Sequence, residues 1–267
     1  MKNLYHTIAI FVVHNIIIRK DKIMQQVISG LKELKLSGMV NCLENEEFAT
    51  QSLSFEEKLE FLVHYELTAK KNNKIERLLA ASNLKTKTKI EDINSNDERG
   101  LTRSHLLSLM RLEFLTEHRN LIITGATGCG KTHLAKAVGV KACMEGYSVR
   151  LVKLPIFLEE IQLHHQTGTF TKLLQKLIQY DLLILDDFGL TNVDETQLHD
   201  LFNIIDERYK IKSIIITSQL PTKAWHEYLK NPTLADAILD RLLSQTDKIE
   251  LAGESLRWEK KEKTLKK

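Results

Sequence analysis

From Met24 to about Arg119, apolar residues recur at intervals of three and four, the period of an amphipathic helix, and no stretch alternates as a strand does. Ser54-Phe55-Glu56-Glu57 has capping-box spacing: the Ser54 hydroxyl is placed to accept from the Glu57 amide while the Glu57 carboxylate reaches back. Phe55, Leu59, Leu62, Val63 and Leu67 then fall on one helical face, and Ile75, Leu78 and Leu79 continue the pattern. The polar run INSNDERG, residues 93–100, reads as a linker. A further helix from about Ser104 to Glu117 carries Leu106, Leu107, Leu109, Met110 and Phe114. From Asn120 onward short apolar runs alternate with helix-length amphipathic segments: LIIT, VRLV, LLILDD, SIIITS and KIEL. Near-continuous apolar strands joined by helical crossovers predict a five-stranded parallel sheet with helices on both faces. The chain therefore divides into an apolar extension (1–22), a small all-α domain (23–99), an α/β domain (100–257) and a basic tail (258–267).

Composition narrows the function little. A hydrophobic content of 43% is that of a packed globular protein, and 38 Lys and Arg against 35 Asp and Glu leave a net charge of +3. Any basic surface must come from local clustering, and two clusters stand out: Lys70, Lys71, Lys74 and Arg77, placed by the pattern at a turn between two helices, and the alternating Lys85, Lys87 and Lys89. The tail adds Lys260, Lys261, Lys263, Lys266 and Lys267, and no aromatics interleave with these residues to stack on bases. Cys42, Cys129 and Cys143 form neither an even set nor a C-x-x-C pair, so neither a disulfide framework nor a zinc site is expected, and a reducing cytoplasm fits. The stretch Leu4 to Ile18 is interrupted by His6, His14 and Asn15 and is shorter than the roughly 18 apolar residues a membrane span needs. No membrane partner is expected.

The chemistry concentrates in two motifs. GATGCGKT, comprising Gly125, Ala126, Thr127, Gly128, Cys129, Gly130, Lys131 and Thr132, satisfies G-x-x-x-x-G-K-T between a strand and a helix. Glycines let backbone amides approach phosphate oxygens, and the following helix turns its positive end to the same anion. Lys131 is positioned for the β and γ phosphates and the Thr132 hydroxyl for Mg2+, whereas Cys129 contributes only its amide. LLILDDFG is an apolar strand ending in two carboxylates: Asp186 is the candidate metal ligand and Asp187 the candidate for orienting an attacking water.

These motifs, together with LKLSGM, LSFEEKLEFL, GYSVR, LFNIIDERY, IIITSQLP, WHEYL, PTLADAILDRL and IELAGESLR, resemble the IstB-like ATP-binding family, the helper ATPases of insertion-sequence transposition. That family is similar in turn to the DnaC helicase loaders within the AAA+ class of P-loop NTPases. The resemblance implies ATP and Mg2+ as cofactors. It also implies ATP hydrolysis, ATP-dependent assembly of the chain with itself on double-stranded DNA, and the transposase of the same element as client. It places Gln219 as the polar sensor at the tip of a strand lying between the loop strand and the acidic strand, a role that Thr217 or Ser218 beside it could equally take. Arg241 in ILDRL resembles the arginine that one subunit inserts into its neighbour's site. Two departures follow. Asp187 stands where many AAA+ ATPases carry glutamate, one methylene longer, so slow hydrolysis stimulated by DNA or a partner is expected; and the chain ends sixteen residues after Leu251, so a separate helical lid is not expected and Arg257 receives no role. A DnaC-like helicase loader and a non-hydrolysing nucleotide-gated DNA scaffold stand as alternatives.

Overall fold

The computed structural model describes residues 18–19, 22–45, 52–86 and 88–256. Most of the apolar extension 1–22, Lys87, Arg257 and the basic tail lie outside the described residues. Contacts divide the chain into two units, Met1–Lys74 and Ile75–Lys267, a boundary inside the long helix and not at residue 99.

In the first unit, α1 (22–33) leads through a turn to α2 (Ser37–Leu43), and α3 (Phe55–Ala81) begins after a break. The capping box closes as expected: the Glu57 amide donates to Ser54 Oγ at 3.2 Å and the Ser54 amide to Glu57 Oε2 at 2.7 Å. Those bonds from Ser54, the backbone one first, hold the Glu57 carboxyl below its ordinary range. The sequence LKLSGM acquires a physical meaning here. Buried Glu66 of α3 accepts the Gly38 and Met39 amides at 2.8 and 3.2 Å, capping α2 from outside. A Cβ at Gly38 would stand 2.6 Å from both the Tyr65 carbonyl oxygen and Glu66 Cα, so only glycine permits this approach.

In α3 one expectation is met and one fails. Phe55, Leu59, Val63 and Leu67 share a face, but that face is exposed, with Phe55 at 74%. Lys70, Lys71, Lys74 and Arg77 occupy no turn, because the helix runs unbroken for 27 residues; neither glycine nor proline interrupts AKKNNKIERLL, and its Lys, Glu, Arg and Leu favour helix.

In the second unit, the segment read as a linker, 93–100, is fastened to one edge of the sheet, and Ser82 upstream of it to the other. The Leu151 amide, in β2 (Val149–Lys153), donates to the Ser82 carbonyl at 2.8 Å, and the Ala252 amide, just past β5 (Thr246–Leu251), to the Arg99 carbonyl at 3.0 Å. Leu84 and Ile90 between these points, and Leu101 just beyond them, are buried in the core, and the two bonds occupy one backbone group at each edge strand's side of the sheet. The expected helix from 104 to 117 is two helices, α4 (Arg103–Arg111) and α5 (Glu113–Thr116). Leu112 between them takes φ 56° and is buried: burial of its side chain prevails over local helix propensity.

The five strands appear where the apolar runs predict them: β1 (Asn120–Gly125), β2 (Val149–Lys153), β3 (Leu182–Phe188), β4 (Ser213–Ser218) and β5 (Thr246–Leu251). All pair in parallel, in the order β2-β3-β4-β1-β5. Alternate residues supply two cores. Leu121, Ile123, Leu182, Ile184 and Ile215 pack under α6 (Lys131–Met144), whereas Ile122, Leu183, Leu185, Ile214 and Ile216 pack on the opposite face. That face is covered by α7 (Leu154–Gln166), α8 (Phe170–Gln179), α9 (Glu195–Arg208), α10 (Trp225–Leu229) and α11 (Pro232–Leu243). A parallel sheet buried on both faces gathers all its strand C-termini, and the loops that follow them, along one edge.

Candidate functional site

That edge carries the loop 125–132. Gly125 ends β1 with φ 145°, and Gly130, at φ 105°, is the N-cap of α6. Lys131, 8% exposed, lies inside the loop and donates to the Gly125 and Ala126 carbonyls, each at 2.8 Å. The Cys129 thiol faces inward, buried, with Sγ 4.0 Å from Lys131 Nζ. The Thr127 hydroxyl donates to Gln219 Oε1 at 2.7 Å, joining the loop to the residue just past β4.

Asp186 is fully buried. Its Oδ1 accepts two hydroxyl hydrogens, from Thr132 at 2.7 Å and from Thr217 at 2.5 Å, while Oδ2 is buried and without a partner. A buried carboxylate oxygen left unbonded is costly unless a cation or donor completes it. Asp187 lies more openly, its Oδ2 3.6 Å from Lys153 Nζ, and its backbone takes φ 64°, in the left-handed region that non-glycine residues seldom visit. Its amide donates to Thr217 Oγ1 at 3.2 Å.

Thus the structure brings Thr132 and Asp186 into direct contact and sets Gln219 on the loop. Arg241 is elsewhere. The Asn120 side-chain amide, at the start of β1, donates to the Arg241 and Leu242 carbonyls at 3.4 and 3.2 Å, which fixes Arg241 at the end of the sheet opposite the phosphate loop. Its guanidinium pairs with Asp206, donates to the Ala237 carbonyl at 3.0 Å and lies over the Phe202 ring.

Sequence reasoning did not foresee what lies on the outer side of the loop. Residues 252–256 cross it: the Leu256 amide donates to the Gly128 carbonyl at 3.1 Å, and Arg99 Nη2 donates to the Glu254 carbonyl at 2.6 Å. A Cβ at Gly128, whose φ is 84°, would collide with the Ser255 side chain. The glycine that gives phosphate access thus also gives the chain's own segment access. The signal was present only as IELAGESLR, whose Gly253 and Ser255 have no period to read.

An IstB-like ATP binding protein model matches residues 29–264. An insertion sequence ATP-binding protein of Sinorhizobium fredii is 38% identical over 238 residues, 88% of this chain and 96% of that protein. The insertion sequence IS21 ATP-binding protein of Pseudomonas aeruginosa is 31% identical over 240 residues, 90% of each. Among solved structures, AMPPCP-bound DnaA from Aquifex aeolicus is similar with a TM-score of 0.56 at 25% identity, covering 69% of this chain and 56% of that one. The DnaC helicase loader shares the fold at a TM-score of 0.50 and 20% identity, over 66% and 99% of the two chains. With an AAA+ type P-loop sheet and a match over nearly all of its length, the chain belongs to the IstB-like ATP binding protein family.

Proposed function

We propose that the chain binds ATP with Mg2+ at residues 125–132, assembles with copies of itself on double-stranded DNA while ATP is bound, and serves the transposase of an insertion sequence in the cytoplasm. Hydrolysis is slow and is stimulated by DNA or the partner. The observation that carries this reading is Asp186: its Oδ1 accepts the Thr132 hydroxyl while its Oδ2 is buried and unbonded, and these hard oxygens suit a magnesium ion. When bound, the ion neutralises charge on the β and γ phosphates. The Lys131 ammonium exchanges the Gly125 and Ala126 carbonyls for phosphate oxygens, and the loop amides hold the remainder. Asp187 and Gln219 orient the attacking water. Arg241 serves a neighbouring subunit, a role supported by its distance from its own loop, and its Asp206 pairing holds it in a defined orientation. Exposed Lys70, Lys71, Lys74, Lys85 and Lys89 supply charge for phosphate backbone contacts, which position a protein on DNA without reading its sequence. The insertion-sequence relatives favour a transposase over a helicase as client, and pull-down against each separates the two.

Lys131→Ala is expected to abolish nucleotide binding and nucleotide-dependent assembly on DNA together. Calorimetry and gel filtration check this; ATP-stimulated oligomers that survive in the variant would refute the reading.

A further inference from the structure

An ideal strand alternates its side chains between faces, so consecutive carboxylates at 186 and 187 should point to opposite sides of the sheet. The pairing here is irregular. Leu185 pairs with Ile216 and Phe188 with Ser218, so Asp186 and Asp187 of β3 together oppose the single residue Thr217 of β4. Two residues against one is a β-bulge, the device by which a strand re-aims a side chain beside a functional site. The left-handed φ at Asp187 belongs to the same irregularity.

Thr217 occupies the centre of the bulge. It is 1% exposed, and its one hydroxyl binds both acids: its hydrogen goes to Asp186 Oδ1 at 2.5 Å, and its oxygen accepts the Asp187 amide at 3.2 Å. Because the Thr132 hydroxyl also donates to Oδ1, that oxygen is occupied twice and Oδ2 is the one left to a cation. A hydroxyl has one hydrogen and two acceptor positions, so the same atom can satisfy both demands without a second residue. Serine keeps the hydroxyl. Valine has nearly the same shape as threonine but can make neither bond.

We infer that Thr217 is a positioning residue of the magnesium–nucleotide site: by pinning the Asp186–Asp187 bulge it selects the Asp186 oxygen offered to the metal and fixes where the Asp187 carboxylate stands. The inference rests on the nucleotide reading above and goes beyond it, since neither the loop motif nor the paired acids assigns Thr217 any part.

The test compares full-length wild type, Thr217→Val and Thr217→Ser, each titrated with Mg2+ in the presence of a fluorescent ATP analogue. Nucleotide affinity in excess chelator serves as the metal-independent reference, and Mn2+ binding by electron paramagnetic resonance reads the cation directly. Thr217→Val is expected to keep chelator-state affinity but to need about 10- to 100-fold more metal, the usual loss when a ligand's hydrogen-bond partner is removed. Thr217→Ser is expected to restore the wild-type metal midpoint. If the valine variant does not fold, Thr217→Ala replaces it, with the same expectation. A metal midpoint unchanged in Thr217→Val or Thr217→Ala would overturn the inference alone, as would a serine variant as impaired as valine. A wild-type chain that takes up no nucleotide with or without metal would overturn the nucleotide reading, and this inference with it.

Discussion

The two ends of the sheet solve the same problem in opposite ways. At the end where the strands begin, buried polar groups chiefly join one element to the next, although Arg208 Nε and Thr246 Oγ1 are buried without a partner. The fully buried guanidinium of Arg208 donates to the carbonyls of Leu177, Tyr180 and Ser213 at 2.7, 2.9 and 2.8 Å, tying the end of α8 to the start of β4. Burial draws its pKa down to about 10, with nearby Asp181 opposing, so it is charged at neutral pH. At the end where the strands finish, Asp186 keeps an oxygen unbonded and Asp187 sits at a left-handed φ. One end spends its polar groups on holding strands in register; the other holds them for a ligand. Unsatisfied or strained groups persist where surrounding structure fixes them, and they concentrate at functional sites.

Substitutions should separate the two ends, beginning with the largest effect. Arg208→Leu leaves three or more carbonyls without their donor and is expected to lower unfolding free energy by about 3–5 kcal/mol, read from the urea midpoint. A loss under about 1 kcal/mol, the worth of an ordinary exposed interaction, would break the contrast.

Acid should act at the same end. Burial raises the Asp181 pKa, but the Lys212 ammonium and the Ser148 amide and hydroxyl outweigh it and hold the carboxyl below its ordinary value. A pKa lower in the folded than in the unfolded chain gives stability that is fully present above the unfolded value of about 3.9 and is lost as pH falls through the folded one. Urea midpoints of the wild type should therefore drop more steeply below about pH 4 than those of Asp181→Asn. Parallel curves would contradict the assignment.

The smallest stability effect is expected at the other end. Asp186→Asn removes a buried charge that has an unbonded oxygen and should shift unfolding by no more than about 1 kcal/mol in either direction. The same substitution should abolish the Mg2+ dependence of nucleotide binding. A loss of several kcal/mol would mean that Asp186 holds the fold together, as Arg208 does.

The strands were legible because near-continuous apolar runs of strand length, separated by amphipathic helices, admit few other arrangements, and Lys131, Thr132 and Asp186 followed from motif spacing set between those elements. The strand before Gln219 was legible, since β4 does lie between β1 and β3 and Gln219 follows its last residue. What escaped depended on side chains meeting across distance. Leu112 breaks a helix because its side chain is wanted in the core, the polar run 93–100 is held by carbonyl and amide bonds to the end of β5, and the bulge at Asp186–Asp187 exists only relative to Thr217, thirty residues on. No local pattern encodes those pairings. Arg208, charged and unmatched to any motif role, gave no hint that it would be fully buried.

The central claim is that ATP held by one subunit is read by Arg241 of the next. Its most direct test is a mixing experiment with two inactive chains, Lys131→Ala, which keeps the arginine but not the nucleotide site, and Arg241→Ala, which keeps the site but not the arginine. Phosphate release is followed on duplex DNA with Mg2+-ATP, for each chain alone and for the two combined. Each variant alone is expected to be inactive, and the mixture to recover a substantial fraction of wild-type turnover, because an intact site then meets an intact arginine across the joint. A mixture as inactive as its components, or an Arg241→Ala chain that hydrolyses ATP at the wild-type rate by itself, would contradict the claim.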